Sequence, residues 1–271
     1  MKKLLCLILI IVLSPIFYIG CSKDIDRVFA VWWWNDELDF SYIDFAKENN
    51  INEIYLCSSK FNQETNSFIQ YAQKKDISVY YLAGDSKYLD DRTNLDKKIQ
   101  DYINYQTNFS NKFCGIHLDI EPQQHSNFKI NRVELITNLI ELVYENSINY
   151  PDIEFNYDIS FWLDDEITFN DSTKPAYQHI IDYSDRITIM SYRDNFEDIL
   201  KVAQEEIAYA KQLKKQINLG VETNSSEGDK VSFLEEGKTY MNNQLSLLRQ
   251  NTSKDIGVCI HHIKTWFDLP N

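Results

Sequence analysis

Three ionisable side chains stand at every second position of one apolar run: His117, Asp119 and Glu121 in Cys114-Gly115-Ile116-His117-Leu118-Asp119-Ile120-Glu121-Pro122. Residues two apart on a strand point to the same face, so the three groups share one. Unpaired charge inside a strand is costly and is kept mainly where chemistry or a fixed partner uses it. Two carboxylic groups so placed can donate a proton and stabilise the positive charge that follows. Pro122 holds the residue before it extended, which puts Glu121 at the C-terminal tip of the strand. His117 has two readings. It is a charge partner that keeps Asp119 ionised, or a core histidine hydrogen-bonded to a neighbouring strand.

The elements that must position these groups alternate along the chain. Apolar, β-rich runs fall at residues 27–34, 54–57, 77–83, 113–122, 153–159, 186–191, 217–221 and 256–261. Helical spacing of apolar residues falls between them, at 38–49, 62–74, 94–105, 129–145, 177–183, 196–214 and 234–248. This rhythm predicts a (β/α)₈ TIM barrel whose last helix is short or absent. A doubly wound open sheet would place a glycine-rich phosphate turn after its first strand. Trp33-Trp34-Asn35-Asp36 stands there instead, the chain has only 7 Gly, and it contains no GxGxxG or GxxxxGK[ST] motif. No cofactor or nucleotide is expected.

In a barrel the strand C-termini face one mouth, where active sites of this fold are built. The residues that reach it are Trp32, Trp33 and Trp34, then Asp119 and Glu121, then Asn156, Asp158 and Trp162. Tyr192, Asp194, Glu222, Asn224, His261, His262 and Trp266 complete the set. Acids and amides bind hydroxyls, indoles stack on sugar faces, and carboxylic groups handle a glycosidic bond. By alternation Trp32 and Trp34 share one face and Trp33 takes the other. His261 and His262 are adjacent, so on a strand they cannot chelate one metal; one lines the mouth and the other meets the helices. No metal site is expected, and Ser160 and Ser191 lack a G-x-S-x-G elbow. Glu222 closes the seventh strand opposite Glu121. A two-carboxylate mechanism would use it as nucleophile; otherwise it binds a hydroxyl or a cation.

The strand-four segment Gly115-Ile116-His117-Leu118-Asp119-Ile120-Glu121 resembles the D-G-x-D-x-D-x-E signature of the chitinase-like, family 18 glycoside hydrolases. Gly115, Asp119 and Glu121 match, and Cys114 and His117 replace the first two acids. Met190-Ser191-Tyr192-Arg193 is similar to that superfamily's M-x-Y-D, with Arg193 in place of its Asp, and Trp266 resembles the tryptophan flooring its sugar pocket. The resemblance implies that Glu121 protonates the leaving oxygen while the substrate's own N-acetyl group attacks the anomeric carbon. Asp119 and Tyr192 would then hold that acetamido group. Trp34, Asn156, Asp158, Trp162, Asp194, Asn224 and Trp266 are the expected sugar-binding residues.

Lys2 and Lys3 precede an apolar run that ends in Tyr18-Ile19-Gly20-Cys21. This looks like a bacterial lipoprotein signal, with residues 1–20 removed, Cys21 lipidated, and 21–271 forming one domain anchored outside the cytoplasmic membrane. Cys57, Cys114 and Cys259 lie in apolar runs and read as small core residues rather than disulfide partners. A formal net charge of −14 argues against nucleic acid as a partner, and 17 Tyr with 5 Trp suit flat ligands such as sugar rings. The expectation is a hydrolase of an N-acetylated glycan. The alternative is a lipoprotein that binds glycan without cleaving it.

Overall fold

The computed structural model describes residues 27–35, 37–225 and 228–271. The leader at 1–20, Cys21 and Asp36 lie outside the described residues.

Eight parallel strands close into a barrel: β1 (Phe29–Trp33), β2 (Glu53–Cys57), β3 (Ser78–Ala83), β4 (Ile116–Leu118), β5 (Phe155–Ser160), β8 (Arg186–Met190), β9 (Ile217–Glu222) and β10 (Ile256–His261). Around the wall they run β1-β10-β9-β8-β5-β4-β3-β2. Their β-branched and aromatic residues suit a pleated surface buried on both faces. The helices α1 (Phe40–Glu48), α2 (Gln63–Gln73), α3 (Thr93–Asn108), α4 (Phe128–Asn149), α5 (Ala176–Tyr183), α6 (Phe196–Val202), α7 (Gln204–Leu213) and α8 (Gly237–Gln250) intervene in turn, and α9 (Ile263–Phe267) is a single short turn. Asp39 and Asn62 cap α1 and α2, accepting backbone N–H bonds that those first turns leave open. No helix among the described residues is long and apolar enough to cross a membrane.

Two details depart from the predicted elements. The helix expected over residues 196–214 is two helices meeting at Ala203, whose backbone leaves the helical region. Between β5 and α5 the chain inserts a hairpin, β6 (Glu166–Phe169) with β7 (Ser172–Pro175). Its two-residue turn, Asn170-Asp171, has φ of 46° and 62°, the left-handed pair that a tight hairpin requires and that Asn and Asp tolerate.

Strand parity divides the core. Outward residues such as Trp33, Ile54, Leu56 and Ile189 pack with the helices, and inward residues such as Ala30, Trp32, Tyr55, Tyr80, Leu82 and Cys259 form a second cluster inside the wall. Trp33 packs edge-on against Phe68 and Tyr42. Gly220 makes room for Trp32 across the barrel: a Cβ there would stand 3.0 Å from the Ile189 carbonyl oxygen, 3.1 Å from Trp32 Cη2 and 3.3 Å from Tyr192 Cε1. Of the cysteines expected in the core, Cys259 is a buried free thiol. Cys114 departs from that expectation: it is disulfide-bonded. It is only half-buried.

The interior is also charged. Arg186 donates to both oxygens of Glu53, at 3.0 and 2.8 Å, lies over the Tyr80 ring, and shares Glu53 with the Tyr55 hydroxyl. Losing one partner of such a pair leaves a buried charge without compensation. Arg186→Met is expected to cost about 3–5 kcal/mol in a denaturant titration. Glu53→Gln combined with Arg186→Met is expected to cost less than that single change.

Candidate functional site

β4 ends at Leu118, and the chain continues extended through Asp119 and Glu121 before Pro122 opens a 3₁₀ turn. Asp119 and Glu121 therefore project into the barrel mouth. A cavity of about 700 Å³ lies there, and Trp34, Asp119, Glu121, Trp162, Tyr192, Glu222 and Asn224 are among the residues lining it. Gly84 is what lets Trp34 approach. A Cβ at 84 would fall 2.1 Å from the Asp119 carbonyl oxygen and 3.1 Å from Trp34 Cη2, so only a glycine permits β3, the β4 tip and this indole to meet.

Four expected sugar-binding residues do not line the cavity. Asn156 and Asp158 face inward but sit deeper in the barrel, and both are buried. Asn156 bonds Glu154. Asp158 accepts Trp32 Nε1–H at 2.8 Å and contacts His117 Nε2 at 2.7 Å. Asp194 is buried and is held by its own loop, accepting from Asn195. Trp266 is fully buried outside the wall, where α9 packs it on Phe45 and Phe29. The chain turns helical at Ile263, which carries Trp266 away from the mouth and towards α1.

His117 takes the second of its two readings. It is buried, stacked on Tyr55 at 3.8 Å, and bonded to β5 rather than to Asp119. Burial lowers its pKa well below the ordinary histidine value, with the Arg186 charge adding to the effect. The neutral ring thus donates through Nε2 to Asp158. The β4–β5 register, with His117 beside Asn156 and Leu118 beside Tyr157, sets Asp158 next to Asp119. Burial and the neighbouring carboxyls of Asp158 and Glu121 raise the Asp119 pKa well above the usual carboxylate range. Burial raises Asp158 as well, but two N–H donors favour its anion. Asp119 Oδ1 is buried and has no hydrogen-bond partner among the described residues, so of the two acids Asp119 is the one left open to a ligand.

Glu121 accepts from the side-chain amides of Gln123 and Gln124, and Gln123 also reaches Ser160 Oγ at 3.1 Å. Tyr192 keeps its proton, because burial and the carboxyls of Glu222, Asp119, Asp158 and Glu121 push its phenol upward. It is a hydrogen-bond donor facing the cavity.

Glu222 is not poised as a nucleophile. Its Oε1 accepts the backbone N–H groups of Thr223 and Asn224 at 2.7 and 2.6 Å, and its Oε2 lies 2.8 Å from His261 Nδ1. His261 and His262 both line the cavity, although strand alternation predicted that only one would. The strand stops at His261, and His262 is the N-cap of α9, accepting the Lys264 N–H, so the alternation no longer governs it. Burial and the charge of His261 push His262 down to about 4. Burial disfavours the His261 cation, but Glu222, Asp119 and Asp158 outweigh it and its pKa is raised. His261 is the functional candidate that sequence reasoning brought to the mouth without giving it a role. Its signal was available, because it shares inward parity with Cys259. Among the described residues no three His, Cys, Asp or Glu side chains come together as a metal-binding group.

With this geometry in view, the barrel can be set beside known proteins. No protein-family model matches the sequence, and no curated protein matches it. Solved structures do match in three dimensions. A chitinase from Bacteroides thetaiotaomicron superposes with a TM-score of 0.58 at 12% identity, covering 88% of this chain and 90% of its own. A family GH18 chitinase from Cycas revoluta, complexed with allosamidin, gives 0.52 at 13% identity over 89% and 96%. A class V chitinase from Nicotiana tobaccum, in complex with NAG4, gives 0.50 at 12% over 89% and 99%. The chain has the fold of chitinases. At these identities the likeness is one of fold, and roles must be argued from this chain's own site.

His261 provides a check on that site. A histidine whose folded pKa is raised contributes stability that is complete below its unfolded pKa and is lost as pH rises through the folded value. Followed by ring-proton NMR, its midpoint is expected above the ordinary histidine value of about 6.5 and below it in Glu222→Gln. The stability deficit of that variant should be larger at pH 5.5 than at pH 9. A midpoint that Glu222→Gln leaves unchanged would show that the pair does not govern this imidazole.

Proposed function

We propose that the protein is a glycoside hydrolase acting on an N-acetylated glycan, with Glu121 as general acid and then general base. The observation that carries the reading is the pairing of Glu121 with Asp119 at the tip of β4, facing a cavity flanked by Trp34, Trp162 and Tyr192. The indoles offer apolar faces to sugar rings.

In the first step the glycosidic C–O bond breaks and the leaving oxygen takes the proton of Glu121. The acetamido carbonyl oxygen of the substrate forms the new bond to the anomeric carbon. Tyr192 donates to that acetamido group, and Asp119, through its unpartnered Oδ1, accepts the acetamido N–H. In the second step Glu121, now a carboxylate, removes a proton from the water that opens the cyclic intermediate. Behind Asp119, where the resemblance leaves a gap in the row of acids, Asp158 supplies a carboxylate from the adjacent strand. The closed hydrogen-bond shell of Glu222 favours this assisted route over a two-carboxylate one. Glu222 acts by holding His261.

The same reading places the protein outside the cytoplasmic membrane, anchored through Cys21; the charged, apolar, cysteine-ended leader supports this. Cys21→Ser should move the protein from the membrane fraction to the soluble fraction, and the intact mass of the parent should carry the added lipid.

Activity is tested on N-acetylated oligosaccharides and aryl glycosides. Glu121→Gln should lose about 10²–10⁴-fold or more in kcat, the usual weight of general acid–base catalysis, while Glu222→Gln retains measurable turnover. Equal loss in both variants would favour the two-carboxylate route. Tight glycan binding without turnover by the parent would mean a binding protein instead.

A further inference from the structure

The charges around the cavity are segregated. On the β3–β4 side stand Asp85, Asp119 and Glu121, and on the β8–β10 side stand Arg193 and the paired Glu222 and His261. The acids are largely spoken for. Asp85 accepts the Lys87 N–H, Asp119 lies beside the Asp158 carboxyl, which with burial raises its pKa, and Glu121 accepts two side-chain amides. Glu222, also in the wall, is closed by two backbone N–H groups and His261.

Arg193 has no such partner. Its Nη1 donates to the Tyr192 carbonyl oxygen at 2.6 Å, and its guanidinium lies over the Phe161 ring, 4.9 Å from the centroid. Among the described residues no carboxylate lies within ion-pair distance of it. The ring contact and the carbonyl fix the planar group in the cavity wall and leave most of its five N–H donors unused. A planar guanidinium held in this way is built to receive a carboxylate. His261, in ring contact with Tyr192 at 6.1 Å and bonded through Nδ1 to Glu222, stands on the same side. The acidic exterior, −14 over the chain, slows the approach of an anion, but at cavity distances a local cation is less screened than the distant surface charge.

We propose that the cavity selects an amino-sugar glycan that carries a carboxylate substituent, with Arg193 as the residue that binds the carboxylate and His261 beside it. This rests on the sugar-binding reading of the same cavity. The substrate would lie with its glycosidic oxygen towards Glu121 and its anionic substituent towards β8.

The test is calorimetric binding to Glu121→Gln, which prevents turnover. Three probes isolate the charge: the disaccharide of N-acetylglucosamine and N-acetylmuramic acid, its methyl ester, and N,N′-diacetylchitobiose. The free acid should bind more tightly than its ester by on the order of tenfold, the weight of one hydrogen-bonded charge contact. Adding Arg193→Gln should remove that difference and Arg193→Lys restore part of it. Equal affinity for acid and ester, tightest binding of the neutral chitobiose, or an equal loss for acid and ester in Arg193→Gln would overturn the inference while leaving the hydrolase reading intact. If none of the three binds and the parent cleaves no N-acetylated sugar, the sugar reading itself fails and the inference falls with it.

Discussion

The two hydrogen bonds that close on Asp158 are the constraint on which the upper barrel depends. A carboxylate deep inside a closed sheet is tolerated only if donors surround it, and here Trp32 from β1 and His117 from β4 supply them. Those bonds orient the indole that fills the barrel centre, fix His117 on Tyr55, and put a negative charge directly beside Asp119. The upward shift of the Asp119 pKa follows from burial and from that neighbouring carboxyl, and its unpartnered Oδ1 is the acceptor that the site keeps for a ligand. The apolar packing of Trp32 and the acid chemistry of β4 are thus two ends of one hydrogen-bonded strut.

The mouth above this strut is asymmetric. Acids gather where β3 and β4 end, Arg193 stands where β8 ends and His261 where β10 ends, and Glu222 between them is locked by its own strand end and by His261. A cavity with this polarity orients a dipolar ligand before any close contact forms, because field lines are concentrated between low-dielectric walls. The barrel floor carries a second ionic layer, Glu53 with Arg186, separated from the mouth by Tyr55, His117 and Trp32. Aromatic rings thus separate the two ionic layers, although His117 Nδ1, Asn156 Oδ1 and Asn218 Oδ1 stay buried between them without a hydrogen-bond partner among the described residues.

The barrel was legible in the sequence because strand and helix periods alternate without interruption. The inward placement of Trp32, Trp34, Asp119 and Glu121 followed from parity alone. Depth was not legible. Parity says that Asn156 and Asp158 face inward, but each step of two along a strand moves a side chain by about 6.6 Å, which separates a buried brace from a cavity wall. Trp266 failed for a different reason: the chain changes from strand to helix at Ile263, and a periodicity read across that change points the wrong way. Asp194 lies past the end of β8, where loop hydrogen bonds rather than strand geometry decide direction. The β6–β7 hairpin carried its signal in Asn170-Asp171, a weaker form of the Asn-Gly turn.

Gly220 and Trp32 together have a consequence for how this fold can change over generations. The indole occupies the volume that a side chain at 220 would need, so bulk on β1 and its absence on β9 are a single heritable trait carried at two positions. A smaller residue at 32 opens a void beside Asp158, and a Cβ at 220 crowds the Ile189 carbonyl oxygen, the indole and the Tyr192 ring. Each change alone is costly, while the two made together conserve volume. Lineages that remodel the cavity floor beneath Tyr192 must therefore cross a shallow fitness valley or take both steps at once.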